Sequence, residues 1–341
     1  MPIIRWIGIL VILGALIPGP ARAAPPASSR GLVLSPLGGL IYGQGEEFLY
    51  KYRRQGQFAS ELIWDLKPLF YLGLALDYGP LDPYSQGGLS FGGALRFGIP
   101  AFSGTIENRD WVNPLHDRLS HYSRHDASVQ QAVLWDLSLA YSFLLRENLA
   151  FKVSLDLHAM YFNWIAEDGY IEYEYFGPQY LPWERIQVHG PGIRYMQNWF
   201  ILSPGWKLLV RPAPILGLEG HFSYSPLIYA SDRDDHLMTS PPKTFTGTFV
   251  FGQFYDIGAK LSLFLPRGLD LSLGLSYRQI WDLRGETFVR DNHILGTAGQ
   301  VFQNGYDGGM GYRALSIELA LGLALGPRER GPRERGSVGP R

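Results

Sequence analysis

Two short polar stretches carry residue types suited to hydrolysis. One is Ser103-Gly104-Thr105-Ile106-Glu107-Asn108-Arg109-Asp110-Trp111, the other Ser231-Asp232-Arg233-Asp234-Asp235-His236. A carboxylate beside an imidazole raises its basicity, and an imidazole so held can take a proton from water. A second carboxylate facing it can position that water. The stretches are more than a hundred residues apart, so they can cooperate only if the intervening chain folds back and sets both at one rim.

Each stretch follows a run in which apolar and polar residues alternate. In Leu315-Ser316-Ile317-Glu318-Leu319-Ala320-Leu321-Gly322-Leu323-Ala324-Leu325, the odd positions are large and apolar and the even ones small or polar. Leu269 to Arg278 follows the same rule, as do Val133 to Phe143 and Phe151 to Tyr161. A period of two is a strand with one apolar face. Alternation alone does not say which face is wet, and a soluble sandwich also alternates. Here the polar faces carry Gly, Ser, Ala and single charges, small enough for a narrow lumen, while the apolar faces are rich in Leu and end in aromatics. That pattern predicts an all-β, ten-stranded antiparallel transmembrane barrel with lipid outside.

The ten runs lie near 38–52, 59–78, 87–103, 128–145, 150–175, 191–211, 215–230, 246–265, 269–288 and 308–325. Short turns join alternate pairs, and longer polar segments, near 53–58, 104–127, 168–190, 231–245 and 285–307, join the rest. Outer-membrane barrels have this layout, with the long loops outside the cell. Pro68 and Pro204 fall inside runs and suggest bulges or lost ladder bonds.

Composition narrows the function. Among 341 residues the formal net charge is -1 and 18% are charged, which argues against nucleic acid as a partner. With no cysteine, thiol catalysis and cysteine metal sites are excluded. Residues 1–23 read as a signal peptide: Arg5, an apolar core from Trp6 to Ile17, and Ala21-Arg22-Ala23 as the cleavage signature. The barrel is expected over 24–325. Residues 326–341, which repeat Gly-Pro-Arg-Glu-Arg, are expected to form a disordered tail.

Several stretches together resemble the omptins, a family of ten-stranded outer-membrane endopeptidases. Asp110-Trp111 stands where the family carries an Asp-x-Asp-Trp motif, and Ser123-Arg124-His125 follows at the family's interval. Ser231-Asp232-Arg233-Asp234-Asp235-His236 resembles its Asp-x-His segment. Gly43-Gln44-Gly45-Glu46-Glu47-Phe48-Leu49-Tyr50 resembles the first-strand segment that holds a specificity glutamate. The resemblance runs from Gly39 to Leu325. It implies that Asp234 and His236 form a dyad, faced by Asp110, that activates water without a covalent intermediate. It also implies that Glu47 and Asp232 line the pocket for an Arg or Lys before the cut. The implied protein is a monomer in the outer membrane, with the site facing outward, no cofactor or metal, membrane lipid around it and basic peptides or proteins as substrates.

The sequence departs from the family in three places. Asn108 replaces the first aspartate of the facing couple, and an amide neither shares a proton nor holds charge. Asp110 thereby loses the tuning that a second carboxylate gives, so activity is expected to be reduced, shifted in pH or absent. His121 stands where an acidic group would serve the residue after the cut. His158 and Met160 stand near where part of a lipopolysaccharide-holding cluster would lie on the barrel wall, so that dependence is not supported.

Other readings compete with this one. His116, Asp117, His121 and His125 make a histidine-rich run, but with helical spacing in a segment that reads as loop. Ser123 beside His125 lacks a third residue to orient it. Lys152, Asp156, Glu219, Asp256, Lys260, Asp270 and Glu318 are expected to pair inside the lumen, and the Trp and Tyr excess to form interfacial girdles. The alternatives to a protease are a catalytically weakened barrel acting as an adhesin, favoured by Asn108, and a small pore, disfavoured by the charged lumen.

Overall fold

The computed structural model describes residues 30–50, 58–82, 87–111, 118–173, 184–239, 242–291 and 301–325. The expected signal peptide and tail lie outside these residues. The strands are β1 (Arg30–Tyr50), β2 (Phe58–Pro80), β3 (Gly88–Gly98), β4 (Ala101–Asp110), β5 (His121–Arg146), β6 (Leu149–Tyr173) and β7 (Glu184–Gln187). They continue with β8 (Pro191–Ala213), β9 (Leu216–Ser225), β10 (Ile228–His236), β11 (Lys243–Val250), β12 (Gln253–Leu265), β13 (Leu269–Asp291) and β14 (Val301–Leu325).

The barrel closes because β1 pairs with both β2 and β14, antiparallel, over nearly its whole length. Three staves are each split into two segments. β3 and β4 separate at Ile99-Pro100, β9 and β10 at Pro226-Leu227, and β11 and β12 at Phe251-Gly252. Proline cannot donate to a ladder, and Phe251 has a φ of 61°. Counting each split stave once gives ten barrel strands among the described residues, with β7 a short addition to the end of β6. Pro68 coincides with a register shift between β1 and β2. Pro204 lies where the neighbouring stave is broken between β9 and β10.

The apolar face points outward. Leu315, Ile317, Leu319, Leu321 and Leu323 of β14 are all exposed, and equivalent rows run along β2, β3, β5, β12 and β13. A belt of this kind has a favourable solvent only in lipid. Tyr42, Phe70, Phe200, Tyr229 and Trp281 are exposed at one end of it, where ring and hydroxyl or indole N–H meet the lipid–water boundary.

Beyond that end the strands continue. Much of 104–127 and 231–245, expected as loop, is ladder: β4 pairs with β2 and β5 to Asp110, and β10 pairs with β8 and β11 to His236. Backbone pairing does not require a lipid-facing side. Once both faces are polar, the period-two signal fades although the strand goes on.

The lumen is layered. Towards the site end it is filled by large aromatics. Trp64 stacks on Tyr195 (5.1 Å, 15°), Trp164 lies 5.9 Å from Trp64, and Phe162 bridges Trp164 and Tyr312 at 5.2 and 5.7 Å. Trp64, Trp164 and Trp199 are fully buried, so the expectation that tryptophan serves as girdle holds only in part. Small residues dominate deeper in the barrel, where its side chains must share the space with charge.

Below the aromatics is an ionic layer. Arg96 meets Asp136 (2.5 Å) and Glu318 (2.6 Å), Arg278 meets Asp256 (2.7 Å), and His158 meets Asp136 (2.6 Å) and Ser203 (3.1 Å). His158 and Met160 therefore face inward and are buried, on the polar side of the alternation from Phe151 to Tyr161. Glu219 lies 3.5 and 3.7 Å from Lys207 and Lys260, beside a cavity of about 470 Å³.

Candidate active site

The site sits above the aromatic layer, on strand segments that have left the lipid belt. β10 is held between β8 and β11, with Asp232 opposite Gln197 and Gly247, Asp234 opposite Tyr195 and Phe245, and His236 opposite Ile193 and Lys243. Side chains two apart on a strand share a face, so Asp232, Asp234 and His236 all turn inward. Arg233 and Asp235 take the outer face, where Asp235 meets Arg233 (3.0 Å) and the Thr244 hydroxyl (2.7 Å).

Asp234 Oδ2 stands 2.7 Å from His236 Nε2. An ionised Asp234 accepts from this nitrogen, so the proton rests on Nε2 and Nδ1 keeps its lone pair. The Phe245 ring, 5.0 Å from the imidazole, limits its rotation. Burial opposes the imidazolium, but Asp234 outweighs it and Asp110 adds to the effect, raising the His236 pKa above the ordinary histidine value.

Asp110 comes from the other wall. On β4 it pairs with Ser60 of β2 and His121 of β5. Asn108 Nδ2–H donates to Asp110 Oδ2 (3.3 Å), and the Ser60 hydroxyl donates to Asn108 Oδ1 (3.2 Å). Burial raises the Asp110 pKa, while Ser60, His121, His236 and Asn108 all favour its ionised form. Asp110 and His236 each act on the other's charge, so β4 and β10 bring them within electrostatic reach of one another.

Glu47 and Asp232 lie close to Asp234. Both are buried. Asp232 accepts from the Gly247 N–H (2.7 Å) and the Tyr195 hydroxyl (3.3 Å). A Cβ on Gly247 would stand 2.6 Å from Asp232 Oδ1, so only glycine permits that approach. Glu47 Oε2 has no hydrogen-bond partner among the described residues. Burial, with the charges of Asp232 and Asp234, pushes the Glu47 pKa well up, and burial with Asp234 raises Asp232 to about 7.

The structure thus brings Asp110 and Asn108 of β4 near Asp234 and His236 of β10, and sets Glu47 and Asp232 beside Asp234. It also recruits residues that sequence reasoning missed. Gln197 Nε2 donates to the Tyr195 hydroxyl (3.0 Å) and across the lumen to the Glu46 carbonyl (3.2 Å), tying β8 to β1 under the acidic pair. Tyr195, Gln197 and Trp199 share one face of β8, a row of large residues where most lumen positions are small. That anomaly was the available signal. Ser60 had none, since its role depends on the register of β2 against β4.

Among the described residues, His121 and His125 join no group that could hold a metal ion. His125 Nδ1 meets the Asp168 carbonyl at 2.5 Å, and His121 Nδ1 lies 3.2 Å from Ser120 Oγ. His116 and Asp117 lie outside the described residues.

The closed ten-stranded fold with its outward apolar belt defines a transmembrane β-barrel. The family model for the omptins matches residues 31–324, and the chain belongs to the omptin family. Among solved structures, the outer-membrane protease OmpT from Escherichia coli aligns with a TM-score of 0.76 at 16% identity, covering 90% of this chain and 99% of that one. The transport unit of the autotransporter AIDA-I from Escherichia coli aligns at a TM-score of 0.36 and 10% identity, covering 94% and 97%. None of the curated proteins compared matches the chain.

Proposed function

We propose that this barrel is a surface endopeptidase that hydrolyses peptide bonds after Arg or Lys, with its cleft facing out of the cell. The observation that carries the reading is the Asp234–His236 contact of 2.7 Å with Asp110 on the opposite wall. A water in the space between has a base on one side, His236 Nδ1, and an acceptor on the other, Asp110. As that water attacks the scissile carbonyl, its proton passes to His236, and Asp234 stabilises the imidazolium. The imidazolium then gives the proton to the leaving amine. No side chain bonds to the substrate.

Glu47 and Asp232 supply specificity. A buried carboxylate without a cation is costly, and a guanidinium that enters between two of them recovers much of that cost. Family membership supports peptide substrates and an outer-membrane setting. The chain would act as a monomer surrounded by membrane lipid, with no cofactor.

Asn108 favours a second reading, a weakened enzyme that binds surface ligands as an adhesin. Incubating the refolded full-length protein with a quenched peptide library decides between them. Cleavage after Arg or Lys supports the protease; no cleavage across pH and lipid conditions supports the binding barrel.

A further inference from the structure

Asn108 lies within a short relay. Ser60 on β2 and Asp110 on β4 are directly opposite each other in register, and Asn108 is two residues before Asp110 on the same face. The Ser60 hydroxyl reaches Asn108 Oδ1, and Asn108 Nδ2 reaches Asp110 Oδ2. We infer that Asn108 acts as a permanently protonated partner for Asp110, giving through its amide N–H the hydrogen bond that a carboxylic acid would give, with Ser60 as a positioning residue that touches both. The inference rests on the hydrolase reading of the cleft and assigns how its facing wall is kept at a single negative charge.

The physical reason lies in how paired carboxylates behave. Two of them in contact lose their protons in two separate steps, and between those steps one keeps a proton and donates it to the other. Over that interval the pair is one donor and one acceptor carrying one negative charge. Asn has nearly the same shape as a protonated Asp and offers the same set, a carbonyl oxygen that accepts and a group that donates. The substitution therefore retains the singly charged form and removes the doubly charged one.

Asp110 selects the amide orientation. Turned over, Asn108 would present Oδ1 to the Asp110 carboxylate, acceptor against acceptor, whereas the Ser60 hydroxyl can donate to or accept from either end of the amide. The titratable groups that face Asp110 are His121 from β5 and His236 from β10, and β2 contributes the neutral Ser60. Arg109 and Glu107, its neighbours on β4, pair with each other at 2.7 Å on the outer face, as Arg109 does with Glu61. Burial raises Asp110 from below this set of favourable contacts, so desolvation supplies tuning that a second carboxylate would otherwise give.

The test has two readouts on the refolded full chain. The first is the titration of the Asp110 side chain by carboxyl-carbon NMR, assigned with Asp110→Asn. Ser60→Ala is expected to move that titration to higher pH, and Ser60→Thr to restore it. Asn108→Asp is expected to replace the single step with two, separated by more than about one pH unit. The second readout is the pH dependence of kcat. Asn108→Asp should acquire an alkaline fall that the natural protein lacks, and Ser60→Ala should lower kcat about tenfold with little change in KM. An Asn108→Asp variant in which the pair still titrates in a single step would overturn the inference. So would an Asn108→Asp profile that is higher at every pH, which would mean a missing charge. Failure of the hydrolase reading looks different: no cleavage that depends on His236, with the titration still deciding the relay.

Discussion

Asp234 and His236 leave β10 on the same face, and Oδ2 of the first stands 2.7 Å from Nε2 of the second. The contact is buried on the carboxylate side and open on the imidazole side, with side-chain exposures of 3% and 23%. That asymmetry suits a base: the orienting group is shielded from water, and the proton acceptor meets the cleft.

Removing the orienting carboxylate should therefore separate binding from chemistry. Asp234→Asn is expected to lower kcat by about 10²- to 10⁴-fold while KM for an Arg peptide changes little. Steady-state kinetics on one quenched peptide checks this. An equal loss in the Asp232→Asn variant, appearing in kcat alone, would contradict the division of roles.

The pH dependence has a defined sign. His236 must be neutral to accept a proton, and its pKa is raised by Asp234, so kcat should fall as pH drops through a value above that of ordinary histidine. Asp232 is raised to about 7, and a bound guanidinium requires it ionised, so KM for Arg substrates should rise as pH falls below about 7. Glu47→Gln should weaken the KM dependence and leave the kcat limb. Separate kcat and KM profiles between pH 5 and 9 test both statements.

The acidic floor also costs stability. The pKa of Asp232 is higher folded than unfolded, so the folded state binds the extra proton and stability declines as pH rises from about 4 to 7. Asp232→Asn is expected to raise the unfolding temperature at pH 8 and to make little difference at pH 4. Thermal melts at the two pH values, with Arg-peptide cleavage lost in the same variant, would show a stability cost retained for function.

The barrel was legible because lipid imposes period two on every stave, as in Leu315 to Leu325, whose outward leucines the structure exposes. Legibility ended where the strands left the lipid. Nothing in Ser231 to His236 alternates by hydropathy, yet all six residues are ladder. Asp234 and His236 stood out because their types and spacing suffice to make a pair on one strand. Ser60 and Gln197 did not, because each acts on a partner fixed only by cross-strand register or by reach across the lumen. The inward tryptophans were misassigned for a related reason: an aromatic in an alternating run reads the same whether it faces lipid or lumen.

The aromatic layer should be the main support of the site. Trp164 is fully buried, packs against Trp64, Phe162 and Tyr195, and donates from Nε1 to the Asp65 carbonyl at 3.3 Å. Trp164→Ala is expected to cost about 3–5 kcal/mol of stability and to reduce cleavage through a loosened Tyr195. Denaturant unfolding in micelles, followed by tryptophan fluorescence, measures it.

The central claim is that a carboxylate-held imidazole hydrolyses bonds that follow a cation. The most direct measurement is kcat/KM for two peptides identical except for Arg or its neutral isostere citrulline before the cut, with the natural protein and His236→Ala. The expected result is cleavage of the Arg peptide, at least about tenfold slower cleavage of the citrulline peptide, and loss of both with His236→Ala. Cleavage that persists in His236→Ala, or equal rates for the two peptides, would contradict it.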